Sequence, residues 1–234
     1  MKTSQNDKGK IVAKVFDEVF SKYDLMNDLM SLGIHRLWKK TFINWLNPQK
    51  NTNLIDVASG TGDIAKLFLE KVNWEGSVYC VDENKGMLEL NQKKFNSKDN
   101  IRWCLGNAEK LAFKNNQFDY YTISFGIRNT SNINNVLREA YRVLKPGGRF
   151  LCLEFSKVKN EILNNFYQIY SKSIPKIGKI VVGKSEPYEY FINSIKKFYT
   201  QEELFELLKK YNFTNISYRN LSGGIVAIHS AWKV

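Results

Sequence analysis

Cysteine, histidine and proline are scarce in this chain, which has three, two and four of them among 234 residues. Cys80, Cys104 and Cys152 share no C-x-x-C spacing, and each falls in an apolar run that reads as a strand. That spacing offers neither a zinc site nor a redox pair, so no metal is expected and the cysteines read as buried, reduced thiols. Long apolar runs are missing too. No stretch of about 18 apolar residues occurs, so no helix is expected to span a bilayer. Met1 to Lys8 has no apolar core and no small-residue cleavage site; no secretory signal is read there, and a cytoplasmic setting is expected. There is no internal repeat, low-complexity tract or Pro/Gly-rich linker. Acidic residues are in the minority: 35 Lys and Arg stand against 23 Asp and Glu, for a net charge of +12. A basic surface attracts nucleic acid, anionic lipid or acidic substrates. Lys, Asn and Ile are abundant together, which drift in coding-DNA composition also produces, so charge alone selects no partner.

What is present is a periodic pattern. Residues 10–48 read mostly helical. Val12, Val15, Phe16, Val19 and Phe20 share one helical face, and a second helix runs from Ile34 through Phe42 and stops near Pro48. An alternating β/α rhythm follows. Strands are expected over residues 53–58, 77–82, 101–105, 118–124 and 149–155, and helices over 64–71, 86–95 and 132–144. Lys145-Pro146-Gly147-Gly148 reads as a turn. Such alternation predicts a parallel sheet covered on both faces. Residues 156–197 break the rhythm; they read as helical and aromatic-rich, a lid-like insertion. Thr200 followed by Glu203 opens a helix to Tyr211 with a capping box. Residues 215–219 and 225–232 read as two closing strands around Ser222-Gly223-Gly224.

The first strand ends in Asp56-Val57-Ala58-Ser59-Gly60-Thr61-Gly62-Asp63. Gly60 and Gly62 let a ligand approach the backbone closely at the start of a helix. Asp82 ends the second strand about 20 residues further on, the offset of a ribose-binding acid. A pyrophosphate suits this loop poorly. No third glycine completes G-x-G-x-x-G, and Asp63 places negative charge where the phosphates would sit. S-adenosylmethionine carries no phosphate, and its sulfonium and ammonium are cationic, so Asp56 and Asp63 suit it; helix capping is the plainer reading of both acids. Asn107-Ala108, after the third strand, lies where the adenine is faced, with Asn107 reaching the exocyclic amine and the Ala108 N–H a ring nitrogen. A loop asparagine starting the next turn is the alternative for Asn107. Ser124 to Asn129 follows the fourth strand in the crevice where ligands bind open α/β sheets. Arg128 there suits a developing oxyanion; an ion-pair partner is its other reading.

These motifs, with Tyr23 to Ser31, Gly33-Ile34-His35-Arg36-Leu37-Trp38-Lys39, Thr122 to Asn129, Tyr141 to Gly148 and Leu153-Glu154-Phe155-Ser156, resemble the UbiE/MenG C-methyltransferases of ubiquinone and menaquinone biosynthesis. The resemblance extends over nearly the whole chain from about residue 10. The family often has Gly or Cys where this chain has Ser59, a change that matters only if that residue needs a positive φ. The expected fold is α/β: a Rossmann-like class I S-adenosylmethionine methyltransferase, with a mostly parallel seven-stranded sheet and helices on both faces. It is read as one methyltransferase domain over residues 1–234.

The resemblance implies methylation of a ring carbon on a polyprenylated benzoquinol or naphthoquinol. It implies Gly60, Thr61, Gly62, Asp82, Asn107, Ala108 and Ser124 as contacts to S-adenosyl-L-methionine, and Arg128, Asn129 and Tyr23 as the catalytic, substrate-side residues. Deprotonating the hydroxyl beside a ring carbon would make that carbon nucleophilic, with Arg128 stabilising the oxyanion. His35 is a base by chemistry but lies on an apparently packed helix, so it reads as structural. The isoprenoid tail calls for transient contact with a membrane surface, peripherally on the inner membrane, or with quinone-biosynthesis proteins. No nucleic acid partner is expected, and a homodimer is left open. Rival readings are a methyltransferase acting on RNA or another polymer and a non-catalytic cofactor-binding subunit. Methylation of an exocyclic or amide nitrogen usually comes with an Asn/Asp-Pro-Pro-Tyr/Phe segment after the fourth strand, where this chain has Ser124-Phe125-Gly126-Ile127.

Overall fold

A computed structural model of the chain describes residues 28, 31, 33–95, 100–182 and 185–234. Tyr23 and the helix read around Val12 to Phe20 lie outside the described residues. The first helix with full bounds, α1 (His35–Leu46), buries Trp38, Phe42, Ile43 and Leu46 along one face. It stops at Asn47, whose φ of 49° is left-handed, and Pro48 follows.

The β/α alternation then appears nearly as read: β1 (Thr52–Val57), α2 (Asp63–Lys71), β2 (Gly76–Asp82), α3 (Lys85–Lys94), β3 (Ile101–Leu105), β4 (Phe118–Ser124) and α4 (Ile133–Val143). After β5 (Leu144–Phe155) come α5 (Glu161–Val182), α6 (Glu186–Lys197) and α7 (Gln201–Lys210), then β6 (Thr214–Leu221) and β7 (Val226–Trp232). The seven strands form one sheet in the order β3-β2-β1-β4-β5-β7-β6. The first five are mutually parallel, and β7 runs antiparallel to both β5 and β6.

Strand alternation sorts the core into two halves. Leu54, Val78, Tyr120, Leu151 and Leu153 pack with α1, α2 and α6 on one face. Ile55, Val81, Tyr121, Ile123 and Cys152 pack with α4 and α7 on the other. Successive side chains of a strand point to opposite faces, so a strand buried on both sides reads as one unbroken apolar run.

One local expectation is corrected. Lys145 to Gly148 is not a free turn between α4 and β5. The strand begins at Leu144, paired with Phe118, and its register shifts before Arg149 meets Tyr120. The intervening residues bulge, with Gly147 at φ 77°. Their backbone is satisfied by the end of the chain: Gly147 N–H donates to Lys233 O at 2.7 Å, and Lys233 N–H to Gly148 O at 3.0 Å. The 156–197 segment is helical, as α5 and α6. Tyr188, Phe191 and Ile195 of α6 are buried in the first core half.

Candidate active site

The strand order reverses direction between β1 and β4, and the carboxyl ends of those two strands open the crevice where α/β sheets bind ligands. The loop after β1 is tightly wound. Ala58, Gly60 and Gly62 all have left-handed backbones, with φ of 54°, 51° and 75°. The strain falls on Ala58, the residue before Ser59. Ser59 is not among the positive-φ residues. Its N–H donates to Val81 O at 3.1 Å, so a side chain is tolerated there. Glycine is needed at 62 on two counts. Its φ is unfavourable for any L side chain, and a Cβ would come within 2.8 Å of Trp103 and 3.1 Å of Phe95. These two rings, 5.4 Å apart, lie over the loop.

Three polar atoms near these strand ends are buried without a partner: Asp56 Oδ2, Ser59 Oγ and Ser124 Oγ. Such atoms are rare unless a ligand or water completes them. Burial pushes the Asp56 carboxyl up to about 7, against a hydrogen bond from Thr122. Asp82 accepts the Gly60 N–H and the Asn84 N–H, both at 2.9 Å. Burial raises its carboxyl as well. The Glu83 backbone also bonds this carboxylate, which leaves it room for one further donor. Thr61 is buried beside it in the loop. A glycine cradle, an acid at the end of β2 and unpartnered buried oxygens at the ends of β1 and β4 fit S-adenosylmethionine.

Asn107 takes the turn reading. It is exposed, and its Oδ1 accepts the Glu109 N–H at 2.6 Å, so the amide oxygen that would meet an adenine amine already holds an Asx turn. Ala108 is buried.

Arg128 is not a surface residue. It is 5% exposed and sits on a 3₁₀ turn (Ile127–Asn129) after β4. One guanidinium nitrogen, Nη1, donates to Glu154 Oε1 at 2.7 Å and to Phe125 O at 2.6 Å, while Nε donates to Ser194 Oγ at 3.3 Å. The guanidinium lies 4.4 Å from the Phe191 ring centroid and 5.6 Å from that of Phe155. Trp38 closes the same cluster, 6.2 Å from Phe125 and 6.1 Å from Phe155. Asn129 follows directly, its Oδ1 buried and unpartnered. Glu154 is fully buried, and burial raises its carboxyl against the pull of Arg128. In the sequence Glu154 stands inside a shared motif with nothing local to mark a role for it beyond its being an acid inside an apolar strand run.

Lys39 was missed in the same way. Its Nζ reaches Asp63 Oδ2 at 2.6 Å and is nearly buried there. Burial pushes Asp63 up, but the charge and hydrogen bond of Lys39 and a hydrogen bond from Thr61 together hold its carboxyl below the ordinary value. Part of Asp63's charge is therefore already answered within the protein. His35 is structural: buried, it bonds through Nδ1 to Ser31 Oγ at 3.0 Å, and that oxygen also accepts the His35 N–H. Burial lowers its pKa, with Lys39 and Arg36 adding to the effect.

The strand order, the antiparallel β7 and the glycine loop after β1 define a class I S-adenosylmethionine-dependent methyltransferase. Solved structures share the fold. A methyltransferase from Thermotoga maritima, described as a possible histamine N-methyltransferase, superposes with a TM-score of 0.69 at 19% identity, covering 95% of this chain and 100% of its own. A Haemonchus contortus phosphoethanolamine N-methyltransferase bound to S-adenosylhomocysteine gives 0.64 at 14% identity, over 84% of this chain and 52% of its own. The chain belongs to the ubiE/COQ5 methyltransferase family, whose model matches residues 1–233. It is 51% identical over 240 residues to the ubiquinone/menaquinone biosynthesis C-methyltransferase UbiE of Rickettsia bellii, covering 100% of this chain and 96% of the relative. The protein of the same name from Brucella suis is 46% identical over 98% of this chain and 88% of its own.

Proposed function

We propose that this protein transfers a methyl group from S-adenosylmethionine to a ring carbon of a polyprenylated benzoquinol or naphthoquinol in ubiquinone or menaquinone biosynthesis. One observation carries the reading: side chains from three motifs shared with that family, Trp38, Phe125, Arg128, Glu154 and Phe155, converge on one aromatic-walled cage around a buried guanidinium. That cage adjoins the glycine loop and suits an aromatic ring bearing an oxygen that must become negative.

Gly60, Thr61, Gly62, Asp82, Ala108 and Ser124 form the cofactor side, with Asp82 accepting from ribose hydroxyls. Asn107 contributes through its amide nitrogen, since its oxygen is engaged. When bound, S-adenosylmethionine supplies a methyl made electrophilic by its sulfonium. Arg128 stabilises the phenolate formed at the ring hydroxyl, and Glu154 fixes the guanidinium in place. Asn129 orients the same oxygen or a water beside it, and Tyr23 bonds the quinol hydroxyl. Aromatic walls exclude water and align the ring carbon with the methyl, an effect worth several kcal/mol.

The test is incubation with labelled cofactor and each of the two demethylated quinols, with the product identified. In parallel, Arg128→Ala is assayed with cofactor affinity measured separately. Turnover is expected to fall at least a hundredfold with cofactor affinity retained; normal turnover removes Arg128 from the reaction.

An isoprenoid substrate also requires transient contact with a lipid surface or a lipid-carrying protein, consistent with a peripheral location. No helix among the described residues is long and apolar enough to cross a membrane. Leu37 on α1 and Ile169 on α5 are large exposed apolar side chains that support such contact. Flotation with liposomes, with and without anionic lipid, checks it; absence of the protein from the floated fraction in both counts against it.

A further inference from the structure

Tyr190 is oriented the wrong way round for an ordinary surface tyrosine. Such a residue buries its ring and leaves its hydroxyl in water. Here the residue is only partly buried, yet its hydroxyl oxygen is shut away from solvent and finds no hydrogen-bond partner among the described residues. It lies on α6, four residues before Ser194, so the two share a helix face. That face meets the cage: Ser194 Oγ accepts from Arg128 Nε, and Phe191, next to Tyr190, stacks on the guanidinium. Burial raises the phenol while the positive charge of Arg128 draws it back.

Two other tyrosine hydroxyls are also buried and unpartnered, those of Tyr121 and Tyr188. Both residues are fully buried within the apolar core, and Arg128 does not influence either. Of the three, Tyr190 alone is only partly buried and shares a helix face with Ser194, the residue of α6 that bonds Arg128.

We infer that Tyr190 is a substrate-binding residue, whose hydroxyl bonds an oxygen of the acceptor ring opposite the Arg128 guanidinium. The inference rests on the quinol reading above. A phenol O–H donates to an oxygen that gains negative charge, and it does so without carrying net charge into an apolar cage. With Arg128 it would give that oxygen donors from two elements, the turn after β4 and helix α6. Helix α6 would then take part in recognition and would not merely cover the crevice.

Tyr190→Phe removes the hydroxyl and keeps the ring, and Tyr188→Phe is the matched control. Three quantities are measured for both variants and the unmodified protein: Tm, affinity for S-adenosylmethionine, and kcat and KM with a short-chain demethylated quinol. Binding of that quinol without cofactor is followed in addition by tryptophan fluorescence, since Trp38 lines the cage. The expected result for Tyr190→Phe is a Tm equal to or above that of the unmodified protein, because an unsatisfied buried group has been deleted. Cofactor affinity stays unchanged, and quinol affinity weakens about tenfold, with a matching loss in kcat/KM. Tyr188→Phe shows no such loss. Unchanged quinol binding and turnover in Tyr190→Phe overturn the inference, as does a lowered Tm with unchanged kinetics, which marks the hydroxyl as structural. If the unmodified protein neither binds nor methylates any quinol, the substrate reading itself fails and the role given to Tyr190 falls with it.

Discussion

Asp56 carries its carboxyl where water does not reach. One oxygen accepts from Thr122 at 2.8 Å and the other has no partner. Burial raises the group from its ordinary 3.8 to about 7. The folded chain therefore keeps a proton that the unfolded chain releases above about pH 4. Stability from that proton is complete below about pH 4 and is lost as the pH rises through about 7. Asp56→Asn deletes this titration, so the fall in Tm between those limits is expected to be shallower than in the unmodified protein; thermal melts across that range check it, and parallel curves count against it. Glu154 poses the complementary case. It is buried with Arg128, and removing one member of such a pair strands the other, at roughly 3–5 kcal/mol. Glu154→Leu is expected to lose about that much by denaturant unfolding, far more than an exposed pair such as Lys50 with Glu75. Asp56 was visible in the sequence as the strand-end acid. The role of Glu154 was not, because only the approach of the turn after β4 to the end of β5 brings Arg128 against it.

At the scale of elements, the crevice depends on how closely two loops meet. Gly126, after β4, has φ −114°, which any residue adopts, so its need for glycine is one of space. A Cβ there would overlap the Cβ of Ala58 in the left-handed turn after β1. Gly126→Ala is expected to cost about 1–3 kcal/mol by overpacking. It should also weaken cofactor binding, since relief requires the glycine loop to shift; calorimetric titration of the folded variant with S-adenosylmethionine checks this. Helix α7 shows what a sequence can specify alone. Thr200 Oγ1 accepts the Glu203 N–H at 3.2 Å and Glu203 Oε2 accepts the Thr200 N–H at 2.7 Å, the reciprocal box read from Thr-x-x-Glu. The start of β5 shows the opposite. Lys-Pro-Gly-Gly carries every local mark of a turn, but its bulge is held by Lys233 at the far end of the chain, a contact no local pattern encodes. At Asn107 the local turn propensity is realised through the amide oxygen alone, which accepts the Glu109 N–H.

Across the whole molecule, helix α1 joins parts that the sheet keeps separate. Strand alternation and glycine spacing made the two-faced sheet and the glycine loop after β1 readable, because both are repeating or local features. How α1 docks was not readable, since it depends on which side of one turn meets which loop. Trp38 turns to Phe125 and Phe155 in the aromatic cage, while its neighbour Lys39 turns to Asp63 at the mouth of the glycine loop. One helical turn thus contacts the aromatic cage and the glycine loop together. Loss of Lys39 would leave the half-exposed carboxyl of Asp63 without its main counter-charge, and its partial burial would then raise its pKa. The two sides should therefore respond jointly. Cofactor that binds only the folded form raises stability by about 2.7 kcal/mol at a hundredfold excess over Kd. In Lys39→Met that thermal shift is expected to shrink, and KM for the acceptor is expected to rise with it, although the ion pair of Lys39 is with Asp63 in the glycine loop. Measuring both quantities on the same preparation decides the matter: a smaller cofactor shift with an unchanged acceptor KM would mean that α1 serves the two sides independently.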